Sequence, residues 1–403
     1  MFFYRIISRV VFGCLPFLSL FSSRIKKFYK GHLRSKPPIL RAGNNIWFHC
    51  ASYGEYEGIA PLLVHYRGQS HCTTILSFFS PSGFDHTFDQ TIADHICYAP
   101  LDMKKRVSLF IKSIQASVLV VSQNDYWPNM IAECQKMSIP VFFIGTYIRP
   151  DHWWLRKITN VVTAPLKNHA VLLLQDEVSF QLLQQAGFKN LSVIGNPRIV
   201  QATYTKENIK KFPYLTSFTR VKPCIVWGST LDSDHRVIAA ALPDLSSYNM
   251  LIVPHEIDES ELKQVQAYFP SAIRYSSLSM EQHIKTNIII VDTMGDLKYM
   301  YQYATVAYVG GGFQRGTHSV IEPAVFNIPV ICGPNINKFI DAKHLANIGV
   351  LHVVNNATEL IAQIKAVENG LTDNSLDNLR LYIKNNLVDI VEISRIIDLS
   401  LEP

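Results

Sequence analysis

From Asn45 onward the chain returns repeatedly to short apolar runs rich in β-branched and aromatic residues. They read IWFHCAS, TTILSFFS, SVLVVS and PVFFIGTY in the first half, then CIVWGS, MLIVPH, NIIIVD, VAYVGG and PVICG in the second. These runs do not alternate polar with apolar, so each strand must be covered on both faces. For a sheet that means parallel strands with helices on either side, and the intervening stretches have helical spacing. A chain of 403 residues exceeds one ordinary core, and two domains of roughly 150 to 200 residues follow. A hydrophobic share of 48% against 17% charged residues excludes a disordered chain. The expected fold is therefore α/β, with one doubly wound, Rossmann-like sheet in each half. Two such domains facing each other define a cleft lined by the carboxyl ends of both sheets, where folds of this kind bind ligands.

The expected boundaries are a basic and apolar segment over 1–38, a first domain over 39–200, a polar linker over 201–221 containing Pro213, and a second domain over 222–375. A helical tail over 376–403 can pack back on the first domain. No internal repeat interrupts this plan.

Charge is unevenly placed. Arg5, Arg9, Arg24, Lys26, Lys27, Lys30, Arg34, Lys36 and Arg41 all precede Glu55, the first acidic residue, while the whole chain carries a formal charge of only +6. The remainder is thus net acidic, which argues for an anionic lipid surface as partner of the N-terminus and against a nucleic-acid groove spread over the fold. The uncharged run VVFGCLPFLSLFSS between Arg9 and Arg24 contains Pro16 and is shorter than the ~20 residues that cross a bilayer. It reads as a segment lying in one leaflet or spanning poorly, with a cleaved signal peptide as the competing reading. Seven cysteines with no pair two residues apart indicate neither a disulfide framework nor a zinc site.

Polar residues collect just after the expected strands. In YVGGGFQRGTHSVIEPAVFNIPVICGP, Tyr308 to Pro334, a strand over Val306–Val309 gives way to Gly310, Gly311 and Gly312, then His318, then a helix expected over Ser319–Phe326. A helix start offers N–H groups to a phosphate and Glu322 can accept bonds from ribose hydroxyls; the plain alternative is a glycine-rich loop with a capping serine. Gly228 and Ser229 form a similar turn, as do Pro254 with His255, and Met294, Gly295 and Asp296. Asp232 and Asp234 have the look of a two-aspartate metal signature but sit where a helix start wants carboxylates, and no metal is assigned to them. In the first half, Ser52, Gly54 and Glu55 lie on the turn into a helix, where Glu55 reads equally as a general base and as a partner of the helix dipole. Ser80, Ser82 and Gly83 repeat that form and can hold a polar acceptor. Asp125, in QNDYWPN, reads as a helix cap or as a second active-site carboxylate, and Arg149 and Arg198 follow strands whose ends open on the same cleft.

Taken in order, SYGEYEG, FSPSG, APLD, DYWPN, GNPR, GST, VPHE, DTMGDL, VGGG and HSVIEP followed by GP resemble the 3-deoxy-D-manno-oct-2-ulosonic acid (Kdo) transferases over nearly the whole chain. The resemblance implies a GT-B fold, CMP-Kdo as donor, a lipid A precursor (lipid IVA) as acceptor, and residence at the cytoplasmic side of the cell inner membrane. It implies no cofactor. By position, Glu55 matches the general base, and Asp125 and Arg198 match an acidic and a basic residue that stabilise the transition state. CMP is expected to contact Pro254 and His255, then Met294, Gly295 and Asp296, then Ser319, Val320, Ile321 and Glu322. The family often has Glu at 125, Lys at 198, Arg at 255, Glu at 296 and Asn at 319. Other readings are a GT-B transferase or epimerase acting on a different sugar nucleotide, and a membrane-bound sugar-nucleotide-binding protein without catalysis.

Overall fold

The computed structural model describes residues 1–86, 92–278, 286–314 and 316–401. It divides into two units, one of Met1–Gln201 with Asn386–Pro403 and one of Ala202–Asn385. Each holds a seven-stranded sheet in which every pairing is parallel.

The first sheet comprises β1 (Asn44–Cys50), β2 (Cys72–Phe78), β3 (His95–Tyr98), β4 (Val118–Ser122), β5 (Val141–Thr146), β6 (Ala170–Leu174) and β7 (Leu191–Val193), in the order 3-2-1-4-5-6-7. Successive side chains of β1 enter opposite layers. Trp47 joins Leu119, Phe143 and Trp154 on one face, while Ile46, Phe48 and Cys50 join Ile59, Leu62 and Phe78 on the other. Burial on both faces is what the unbroken apolar runs require. The helix Ile390–Asp398 closes the second layer through Ile393 and Ile397, and Tyr66 donates to Asp398 Oδ1 at 2.8 Å. The tail is not one helix: Asp373–Asn386 belongs to the second unit apart from its last residue, and the chain breaks over 387–389 before Asp389 caps the last helix.

The second sheet comprises β8 (Cys224–Thr230), β9 (Asn249–Pro254), β10 (Ile273–Arg274), β11 (Ile288–Ile290), β12 (Val306–Val309), β13 (Val330–Cys332) and β14 (Leu351–Val353), in the order 10-11-9-8-12-13-14. It too has two apolar layers, one around Trp227 and Ile252, the other around Val226 and Leu251.

At the N-terminus, helices Phe2–Gly13, Leu15–Leu18 and Ser23–Arg34 pack on the first unit rather than trailing from it. Tyr4 donates to Asp102 Oδ2 at 2.6 Å, and the His32 ring nitrogens face the carbonyls of Phe79 and Ala99 at 2.9 and 3.1 Å. Among the described residues no helix is long and apolar enough to cross a membrane.

Candidate functional site

In each sheet the strand order reverses direction at one place, and there the two neighbouring loops leave on opposite sides and open a crevice. In the first unit that place lies between β1 and β4. The turn after β1 carries Ser52 and leads into the helix that begins with Tyr53 and carries Glu55; the loop after β4 carries Gln123 and Asp125.

Glu55 occupies the first turn of the helix Tyr53–Arg67, behind Ser52 at the cap. Its carboxylate accepts a hydrogen bond from the Ser52 hydroxyl, and its backbone carbonyl accepts one from Ser122 Oγ at 2.6 Å. The second bond fixes the helix start to the end of β4. Asp125 Oδ2 lies 2.9 Å from Nε2 of His49, which is fully buried, and His49 Nδ1 lies 2.9 Å from Ser77 Oγ. Burial, followed by the Glu55 and Asp125 carboxylates, pushes the Cys50 thiol well up; both acids therefore act on the same buried atom at the end of β1. Arg198 enters from the helix Pro197–Glu207. With its amide oxygen turned to the guanidinium, Gln123 accepts from Arg198 Nη2 and Nε at 3.1 and 3.2 Å. Gln123 has a φ of 54°, a conformation that costs a non-glycine residue about 1–2 kcal/mol. Its carbonyl is held by Thr146 Oγ1 at 2.9 Å.

The structure thus brings together Glu55, Asp125 and Arg198 with groups that sequence reading had not selected: His49, Ser77, Ser122 and Gln123. The loop of Ser80, Ser82 and Gly83 runs beside this site, since Ser80 N donates to Ala51 O at 2.8 Å. Within it Ser80 and Ser82 bond to each other at 2.7 Å, and Gly83 has a packing reason, because a Cβ there would lie 2.1 Å from the Phe78 ring. Gly54 has open space around it, with only Ser52 Oγ near an added Cβ at 3.9 Å. Arg149 pairs with exposed Asp151 at 3.5 Å instead of joining the carboxylates.

In the second unit the reversal lies between β8 and β12. Asp234 ties the two loops together: it accepts from Leu231 N and Gly311 N at 2.9 Å and from Tyr308 Oη at 2.7 Å. Asp232 bonds Arg236 at 2.6 Å and Tyr268 at 2.9 Å. Both aspartates serve the helix Asp232–Ala241 and its surroundings, in line with the capping reading. Glycine at 228 and 312 is demanded by close approach, since an added Cβ would lie 2.2 Å from Tyr301 Oη or 2.6 Å from Gly333 N. Above these loops His255 stacks on His318, ring centroids 4.4 Å apart. Burial, then the neighbouring His255, lowers His318 to about 4, and its Nε2 lacks a hydrogen-bond partner.

Two local expectations change. The helix expected over Ser319–Phe326 is only Ile321–Ala324, with Val320 at its cap. The chain tightens to i, i+3 bonds at Phe326 and Asn327, and Asn327 turns left-handed with a φ of 63°. One turn is too short for Ser319 to start a helix aimed at phosphate. Asp296, beside Met294 and Gly295, is not open to a ligand on all sides but pairs with Lys210 at 2.7 Å. Lys210 lies in the stretch read as linker, where nothing in the sequence links it to position 296.

Two parallel sheets of this order define an α/β protein built from two Rossmann-like units, with acids and a guanidinium at the reversal point of the first. Residues 22–201 match the family model of 3-deoxy-D-manno-octulosonic-acid transferase (kdotransferase). A 3-deoxy-D-manno-octulosonic acid transferase of Haemophilus influenzae is 26% identical over 85% of this chain and 82% of its own. A bifunctional glycosyltransferase/methyltransferase of Fusobacterium nucleatum is 24% identical over 92% of this chain, which spans 59% of that protein's length. Among solved structures, UDP-GlcNAc 2-epimerase from Neisseria meningitidis shares the fold, with a TM-score of 0.55 at 13% identity, covering 89% of this chain and 99% of that one.

Proposed function

We propose that the protein transfers Kdo from CMP-Kdo to a lipid A precursor, with inversion and without a metal ion. The observation that carries this reading is the meeting of Glu55, the His49–Asp125 pair and the Gln123–Arg198 pair at the reversal point of a unit that matches the kdotransferase family. Glu55 takes the proton from a glucosamine hydroxyl, that oxygen bonds to the Kdo anomeric carbon, and the bond from that carbon to the phosphate oxygen breaks, its electron pair leaving with CMP. Asp125 and Arg198 meet the charge that develops around the reacting carbons. The donor is assigned to the second unit: Gly228, Ser229, Gly311 and Gly312 near the phosphate, and Pro254, His255, Met294, Asp296, His318 and Glu322 around the nucleoside. A monophosphate leaving group carries little enough charge for backbone N–H groups and a cationic side chain to receive it.

The N-terminal helices suit residence on the inner membrane's cytoplasmic face. In Phe2–Gly13 the residues turned inward are Tyr4, Arg5, Ser8 and, in part, Phe12, whereas Phe2, Phe3, Ile7, Val10 and Val11 are exposed. A largely apolar outer face and a mostly polar inner contact invert the pattern of a water-facing helix, and Lys26, Lys27 and Lys30 follow on the helix Ser23–Arg34. Mass spectrometry of a tetra-acyl lipid A precursor incubated with the purified protein and CMP-Kdo tests the function: a mass gain of one or more Kdo units is expected. Binding of CMP with no gain would overturn it.

A further inference from the structure

We propose that His49 is a positioning residue that donates from Nε2 to Asp125 and so fixes the orientation of that carboxylate during transfer; the inference rests on the reading of Asp125 as an active-site acid. His49 is the penultimate residue of β1 and is fully buried beneath the site. Its Nε2 and Asp125 Oδ2 are 2.9 Å apart, within hydrogen-bond distance although not aligned as a formed bond. An ionised carboxylate only accepts, so that separation requires the proton on Nε2.

The other side of the ring supports the same tautomer. Trp47 Nε1, which can only donate, reaches Ser77 Oγ at 2.7 Å. The Ser77 proton then has two acceptors within reach, His49 Nδ1 at 2.9 Å and Phe48 O at 3.4 Å, and the shorter contact is to the imidazole. A buried line from Trp47 through Ser77 and His49 thus ends on Asp125. A neighbouring imidazole that fixes a carboxylate, itself fixed by a third group, is a recurrent way to hold a reactive side chain in place. The titratable groups around the line are Asp102 and His32, close enough to respond to any charge placed on His49, and the Cys50 thiol, which Glu55 and Asp125 both face.

The test is a cycle of His49→Asn, His49→Gln and Asp125→Asn, each checked for folding by circular dichroism. The Gln amide nitrogen can stand where Nε2 stands, whereas that of Asn falls short of it. His49→Asn is expected to lower kcat by ~10-fold or more with little change in KM for CMP-Kdo, because Asp125 loses the group that holds it in place. His49→Gln is expected to restore most of kcat. In the Asp125→Asn background, His49→Asn should add no further loss. Full activity of Asp125→Asn alone would remove the underlying reading. An impaired Asp125→Asn with kcat unchanged in His49→Asn, or with additive losses in the double variant, would overturn only the role of His49. A direct measurement stands apart from the variants: ¹⁵N NMR of histidine-labelled protein should show His49 protonated on Nε2, and a neutral ring protonated on Nδ1 would sink the proposal.

Discussion

Glu55 gives the sharpest residue-scale expectation. Its carboxylate is engaged by Ser52 while its backbone is pinned by Ser122, so Glu55→Gln keeps the shape and both anchors and removes only the base. Transfer should fall by ~10² to 10⁴ with CMP binding and melting temperature unchanged; a variant with half the normal rate would exclude the assigned role. A second expectation concerns acid. His235 is buried beside Thr230 Oγ1 at 2.8 Å, and burial, partly offset by Asp232, lowers it from 6.5 to about 4. An unfolded histidine takes up its proton near 6.5, so this contribution to stability is complete above that pH and is lost as pH falls toward 4. The linkage amounts to roughly 3 kcal/mol. Denaturant titrations at pH 7 and pH 4.5 should show a smaller acid loss for His235→Gln than for the unaltered protein; equal losses would show that the ring is not the source. At this scale the acids were legible in the sequence because each follows a strand that announces itself. His49 was not, because it lies inside such a run, IWFHCAS, where a buried histidine looks like any core position. Nor was the Gln123–Arg198 contact, whose members stand 75 positions apart and meet only through the packing of the sheet.

Elements were legible to the extent that they were apolar and bounded. The long runs became β1, β2, β4, β5, β8 and β9, all buried on both faces. Strand β6 escaped notice because it follows the helix Asn160–His169 without a break, and β10 and β14 are two and three residues long. The N-terminus was legible as a basic and apolar segment but not as helices packed on the first unit. Their attachment is specific. Asp102 accepts from Asn129 N at 3.1 Å and Met130 N at 2.9 Å, capping the helix Pro128–Lys136 in place of Trp127, which supplies no side-chain cap. Tyr4 supplies a third donor to that buried carboxylate, and Arg5 reaches Asn129 Oδ1 at 3.2 Å. Burial raises Asp102, and these donors oppose the rise. Tyr4→Phe should therefore destabilise the first unit by about 1–3 kcal/mol, the range for losing a hydrogen bond to a buried charge. Urea denaturation followed by tryptophan fluorescence measures it, and a change below a few tenths of a kcal/mol would mean that the helix merely rests there. Deleting residues 1–36 would remove Tyr4 and His32 together, so a loss of activity in that deletion would not separate membrane residence from folding.

For the whole molecule, the proposal divides the work: acceptor and base in the first unit, donor in the second, and the lipid surface met by the N-terminal helices. Asp232 and Asp234 are occupied by Arg236, Tyr268, Tyr308 and backbone N–H groups, so transfer should persist in excess EDTA; loss with chelator and recovery with Mg²⁺ would overturn the metal-free mechanism. Membrane residence is best tested without touching the anchors to the first unit. Phe3, Ile7, Val10 and Val11 face outward on Phe2–Gly13, away from Tyr4 and Ser8, and replacing those four with serine leaves the Tyr4–Asp102 bond in place. Each side chain gains roughly 1.5–3 kcal/mol on full burial in an apolar medium, so four exceed what the basic residues of the helix Ser23–Arg34 supply at about 1 kcal/mol each near an anionic surface. The variant should fail to sediment with anionic vesicles, while the unaltered protein sediments and is released only in part by salt. With acceptor dissolved in detergent micelles both should turn over at similar rates, since micelles bring lipid to the site without a bilayer. If the serine variant still binds vesicles, the outward face is not the membrane contact; if it leaves vesicles and is also inactive in micelles while folded and able to bind CMP, that face takes part in holding the acceptor.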